Sequence, residues 1–85
     1  TKNIAVVDVR TYEERSQIPI PNSIHIPVDE LELKLDDIKS FDVVYFFCRA
    51  GRRAEIATQL AISHGIKAIT IPDSIYEIKQ ASDGV

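Results

Sequence analysis

Val43-Val44-Tyr45-Phe46-Phe47-Cys48-Arg49-Ala50-Gly51-Arg52-Arg53-Ala54 is the stretch on which the fold turns. Its first five residues are β-branched or aromatic and offer no polar face to solvent, so they read as a strand buried on both sides at the centre of a parallel sheet. The character then changes within one step. A glycine-containing loop with three arginines follows, and from Arg52 onward Ala54, Ala57, Leu60 and Ala61 recur at helical spacing. His64-Gly65 closes that helix, the glycine being suited to a left-handed cap. A buried strand that runs through a tight loop into an amphipathic helix is most of a βαβ unit, and Ala68-Ile-Thr-Ile71 supplies the returning strand.

Toward the amino terminus, Ile4-Ala-Val-Val-Asp-Val9 is another nearly all-apolar run and reads as a strand. Thr11 and Glu14 stand at capping-box spacing and start a short helix over 11–16. Each proline of Ile18-Pro-Ile-Pro21 fixes its own φ and drives the preceding residue out of the helical region, which makes this an ordered loop. Residues 23–26, stopped by Pro27, read as a second strand. Asp29 with Glu32 repeats the cap pattern before Leu31, Leu35 and Ile38 and predicts a second helix, although Leu31, Leu33 and Leu35 also alternate like a strand. Near the carboxyl end, Ser74 and Glu77 form a third capping box, opening a helix over Ile75 and Ile78. The order β-α-β-α-β-α-β-α calls for an α/β fold: an open parallel sheet of about four strands with helices on both faces, joined by right-handed crossovers. Ligands of such sheets gather at the carboxyl ends of the strands.

Eighty-five residues suffice for one hydrophobic core and not for two, so residues 1–85 read as a single domain. The longest apolar run, residues 43–48, is far short of the roughly 20 that a membrane-spanning helix needs, so no membrane is expected as a partner. No signal-like apolar segment opens the chain, and its one cysteine has no partner for an internal disulfide. Both point to a reducing, cytoplasmic setting. A net charge of −3 argues against a nucleic-acid partner, which would call for a broad basic face. The dense basic cluster is local: Arg49, Arg52 and Arg53.

That cluster surrounds Cys48. A cysteine just past a buried strand and just before a helix sits where loop amides converge and the helix terminus adds about half a positive charge. Both features favour a thiolate, as do the neighbouring arginines, so Cys48 reads as a nucleophile beside an anion-binding loop. A cysteine ending a Val-Val-Tyr-Phe-Phe strand also suits the role of a small buried hydrophobe. Three arginines in the next five residues are poor material for an inert core.

Cys48-Arg49-Ala50-Gly51-Arg52-Arg53 resembles the Cys-Arg-x-Gly-x-Arg active-site loop of rhodanese-like domains. Asp8-Val9-Arg10 is similar to that family's Asp-x-Arg at the end of an early strand. Ile20-Pro21-Asn22-Ser23-Ile24-His25-Ile26-Pro27 is similar to its Ile-Pro-Gly-Ala-Ile-Asn-Ile-Pro. The resemblance covers essentially the whole chain, in order. Ile18-Pro19 stands where the family usually has Gly-His, Asn22 where it has glycine, and Asp73-Ser74 and Ile78 where a Gly-Gly pair and a tryptophan are common. These departures bear on substrate more than on mechanism. The family's usual first strand and helix are not expected ahead of Thr1, which would leave an exposed sheet edge.

The resemblance implies a sulfurtransferase. The Cys48 thiolate takes a sulfane sulfur from an anionic donor such as thiosulfate and passes it, through a persulfide, to a thiol, to cyanide or to a protein acceptor. It implies that the loop amides around Ala50 and Gly51 hold the terminal sulfur, that Arg49 and Arg52 orient the donor, and that Arg53 braces the loop against a carboxylate such as Asp8. Asp8 and Arg10 would support the site from the adjacent strand. No metal or organic cofactor is required. His25 and His64 lack partners at metal-ligand spacing, and the acidic residues of 29–37 read as a solvated face.

Two rivals stand beside this reading. Cysteine-dependent phosphatases and arsenate reductases separate cysteine and arginine by five residues, a position held here by Ala54, with Arg53 one residue too early. The other rival is a module of the same fold that binds a partner or senses redox state without turnover.

Overall fold

The computed structural model describes residues 3–83. Four strands, β1 (Ile4–Asp8), β2 (Ile24–His25), β3 (Val43–Phe47) and β4 (Ala68–Thr70), form one parallel sheet in the order β2-β1-β3-β4. Three α-helices, α1 (Tyr12–Gln17), α2 (Arg52–Ser63) and α3 (Ile75–Asp83), and a 3-10 segment, Val28–Asp37, connect and cover the strands.

The strand calling for the most burial holds an interior place: β3 is paired on both sides and four of its five residues are buried. β1 lies beside it in register, with Val7 opposite Phe46 and Asp8 opposite Phe47. The chain steps outward from β1 to β2, returns over β1 to β3, and steps the other way to β4. Strand order therefore reverses between β1 and β3. At such a switch point the loops leave the sheet in opposite directions and open a crevice at the strand carboxyl ends.

Alternating side chains of β1 and β3 serve two faces. On one, Ala5, Val7, Val44 and Phe46 pack with Leu31, Leu35 and Ile38 of the 3-10 region and Ala54, Ala57 and Ala61 of α2. The small alanines let α2 approach the sheet closely. The other face is thinner: Phe47 packs with Ile20 and Ile75, flanked by Val6, Ile18, Ile71 and Ile78.

Local chemistry explains the element boundaries. The Thr11 and Ser74 capping boxes both form: Thr11 Oγ1 accepts from Glu14 N and Glu14 Oε1 from Thr11 N, while Ser74 N donates to Glu77 Oε1 at 2.9 Å. Gly65 takes φ +81°, and Ile66 N donates to Ala61 O, closing α2 in a left-handed turn. The second expected helix is corrected. Residues 28–37 are 3-10 turns broken at Lys34, and no Asp29 cap forms. Pro27 occupies the cap position, which puts Asp29 inside the first turn; the tighter segment still buries Leu31 and Leu35. The second strand is shorter than residues 23–26, because Asn22 turns through φ 68° and Ser23 Oγ bonds back to Ile20 O.

Candidate active site

β3 delivers Cys48 to the switch point, and the loop after it wraps the sulfur. Gly51 N donates to Sγ at 3.0 Å and Ala54 N at 3.4 Å, so an amide of the loop and one from the first turn of α2 meet on the same atom. Gly51, at φ 98°, makes the turn that aims its own N–H inward, a conformation costly for any residue with a Cβ. Behind the loop, Ile75 N at the start of α3 donates to Arg49 O at 2.9 Å. Cys48 is only 2% exposed. Such a nest of converging N–H groups stabilises negative charge on sulfur.

The three arginines part company. Arg49 and Arg52 are exposed, with no ion-pair partner among the described residues. Arg53 is anchored instead: Nη1 and Nη2 donate to Glu14 Oε1 and Oε2 at 2.6 and 2.9 Å. The carboxylate bracing Arg53 is thus Glu14 and not Asp8. The Arg53 hydrogen bonds, reinforced by the amide and hydroxyl of Thr11, hold the Glu14 carboxyl at about 2, and Glu14 in turn raises Arg53.

Asp8 and Arg10 lie inside the protein. They are 0% and 1% exposed. Arg10 Nε and Nη2 clasp Asp8 at 2.9 and 2.8 Å, while Arg10 also donates to the carbonyls of Glu14 and Ile18 and lies over the Phe47 ring. Arg15 Nη1 adds a further bond to Asp8 at 3.1 Å. Buried charge of this kind is tolerated only when it is fully hydrogen-bonded, and the network ties the β1 exit to α1 and to the Ile18 loop. Arg10 and Glu14 then line one wall of a crevice of about 140 Å³ completed by Gln17, Ile18, Arg49, Ile75 and Tyr76.

A model of the rhodanese-like domain family matches residues 1–81. The chain belongs to that family. Among curated relatives, a Bacillus subtilis protein named as a candidate sulfur carrier, YrkF, is 32% identical over 80% of this chain and 37% of its own length. The human thiosulfate:glutathione sulfurtransferase is 39% identical, covering 68% of this chain and 63% of that one. The present chain thus spans less than two thirds of either relative. Among solved structures, a rhodanese-like domain protein of Staphylococcus aureus superimposes with a TM-score of 0.81 at 29% identity, covering 89% of this chain and 74% of that one.

In this rhodanese-like domain the sequence pointed to the cysteine loop and to the Asp8–Arg10 pair, and the fold brings them together at one switch point. It missed Glu14, Arg15 and the Ile75 amide. Glu14 was visible only as a cap residue. Its second role depends on a partner 39 residues away that periodicity does not reveal. Among the described residues no three His, Cys, Asp or Glu side chains gather as a metal site, and no helix is long and apolar enough to cross a membrane.

Proposed function

We propose that this domain is a sulfurtransferase that moves a sulfane sulfur from an anionic donor such as thiosulfate to a thiol or cyanide through a persulfide on Cys48. The observation that carries the reading is the pair of amides, Gly51 N and Ala54 N, converging on Sγ at the entrance to α2. Those N–H groups stabilise a sulfur anion as an oxyanion hole stabilises oxygen.

In the first step the Cys48 thiolate attacks the outer sulfur of thiosulfate. A Cys48–S bond forms, the S–S bond of thiosulfate breaks, and sulfite leaves with its electron pair. In the second step the acceptor attacks the terminal sulfur and Cys48 departs as thiolate. Arg49, exposed and without an ion-pair partner among the described residues, attracts and orients the dianionic donor, and Arg52 adds positive charge to the loop; Ala50 and Gly51 supply loop backbone around the sulfur; Arg53 fixes the loop through Glu14; Asp8 and Arg10 hold the floor. These steps use no metal or organic cofactor. A free Cys48 suits a reducing compartment such as the cytoplasm, and an acceptor thiol on a protein fits the same chemistry.

The low exposure of Cys48 favours a second reading, in which the fold binds a partner without turnover. Intact-mass measurement after incubation with thiosulfate decides between them. One added sulfur, absent from Cys48→Ser, is expected because oxygen carries no stable equivalent of the persulfide. Arg49→Ala should raise the KM for thiosulfate several-fold more than it lowers kcat, with added salt narrowing the gap to the unaltered protein. No mass gain, or thiocyanate formation by Cys48→Ser, would overturn the assignment.

A further inference from the structure

Two hollows lie on the α2 side of the Cys48 loop. One, of about 330 Å³, is lined by Ala50, Gly51, Arg52, Glu55, Thr70 and Pro72. The other, of about 440 Å³, runs on along α2 past Ile56 and Gln59 and shares Arg52 and Glu55 with the first. Gly51 gives the first hollow a bare backbone floor at the residue whose amide holds Sγ; a Cβ there would stand 3.6 Å from the Pro72 carbonyl oxygen. Arg52 and Glu55 are exposed side chains of opposite charge one helical turn apart, and neither has an ion-pair partner among the described residues. Thr70 Oγ1 donates its hydrogen to Thr58 Oγ1 at 2.7 Å, which leaves its lone pairs for a donor from outside.

The crevice on the opposite side of the loop differs in charge. Its one carboxylate, Glu14, is taken by Arg53, so the charge left unmatched there is that of Arg49. That side suits a plain anion. The α2 side offers a cation, an anion and a hydrogen-bond acceptor together, and their complement is a small zwitterion. We propose that the Arg52–Glu55 hollow is the acceptor subsite and that it takes a low-molecular-weight thiol of the amino-acid class, with its carboxylate on Arg52 and its ammonium on Glu55. The proposal rests on the sulfurtransferase reading above. In the step it serves, the acceptor thiolate attacks the terminal sulfur of the Cys48 persulfide. A new S–S bond forms on the acceptor, the bond to Sγ breaks, and Cys48 leaves as thiolate with the electron pair while the acceptor departs as a hydropersulfide. The adjoining hollow along Ile56 and Gln59, which shares Arg52 and Glu55, leaves room for a thiol longer than one amino acid.

Four probes separate the two charges: cysteine carries both, N-acetylcysteine only the carboxylate, cysteamine only the ammonium, and 2-mercaptoethanol neither. The protein is loaded with thiosulfate, the single added sulfur is confirmed by intact mass, and its discharge by each thiol is timed. Glu55→Gln should slow discharge by cysteine and cysteamine about tenfold more than discharge by N-acetylcysteine and 2-mercaptoethanol. Arg52→Gln should set cysteine and N-acetylcysteine apart from the other two in the same way. Equal effects on all four thiols, or none, would overturn the subsite. Failure of the unaltered protein to load would instead overturn the sulfurtransferase reading, and the subsite is then decided by titrating the unloaded protein with the unreactive S-methylcysteine. Amide NMR shifts centred on Gly51, Arg52 and Glu55 would support it; their absence would overturn it.

Discussion

Glu14 shows how much one side chain can hold together. Its carboxylate closes the Thr11 capping box that starts α1 and at the same time takes both Nη groups of Arg53. A first-turn residue of α1 is thereby fastened to a first-turn residue of α2, and the Cys48 loop is caught between them. The carboxyl titrates at about 2 in the folded protein, against about 4.5 when unpartnered, chiefly because of the Arg53 hydrogen bonds. A folded pKa below the unfolded one means stability that is complete above about 4.5 and is lost as pH falls through about 2. Glu14→Gln should therefore lower unfolding free energy at neutral pH by about 1–2 kcal/mol, the range for a partly exposed charge-assisted pair. The gap from the unaltered protein should shrink as urea titrations are moved from pH 5 toward pH 2. A gap that stays constant over that range would mean that shape, not charge, is what Glu14 supplies.

Among the elements, the turn before β2 turns on a single backbone angle. Asn22 sits at φ 68°, the left-handed region that asparagine tolerates better than other residues bearing a Cβ. Asn22→Gly should change stability by less than about 0.5 kcal/mol and Asn22→Val should cost about 1–2 kcal/mol, read as midpoint shifts in urea. A harmless valine would show that the turn can relax to negative φ. The same position shows what local sequence conveys. Elements whose cause is local were legible: β1 and β3 from nearly or wholly apolar runs, α1 and α3 from capping boxes that form as spaced, α2 from its alanine stripe. The segment after Pro27 was not, since Asp29 and Glu32 have the spacing of a cap but Pro27 holds the cap site, and the burial of Leu31 and Leu35 is met by 3-10 turns as well as by an α-helix. The site divides in the same way. Cys48, its arginines and the Asp8–Arg10 pair could be read from short motifs, whereas Glu14, Arg15 and Ile75 join the site only through tertiary packing.

For the whole molecule, the consequence lies in the inequality of the two sheet faces. One buries a cluster running from β1 through the 3-10 segment to α2, while the other gathers a smaller cluster around Ile20, Phe47 and Ile75. Ile4, at the start of β1, and Ile69, on the edge strand β4, remain 49% and 42% exposed. α2 contributes four buried residues and α3 only Ile75, so opening α3 exposes far less apolar surface than opening α2. Local opening follows the cheapest exposure, and α3 should be the first helix to leave. Because Ile75 N holds Arg49 O, that event also frees the back of the Cys48 loop while β3 stays paired on both sides. Native-state hydrogen exchange should then give α3 amides an opening free energy about 2 kcal/mol or more below those of β3 and α2. Ile75→Ala, which removes the one fully buried side chain of α3, should speed exchange at α3 and at the Gly51 amide together without comparable change in β3. A Gly51 amide that keeps the protection of β3 in that variant would mean that the loop is held by β3 and α2 alone, and that the thinner face has no part in shaping the site.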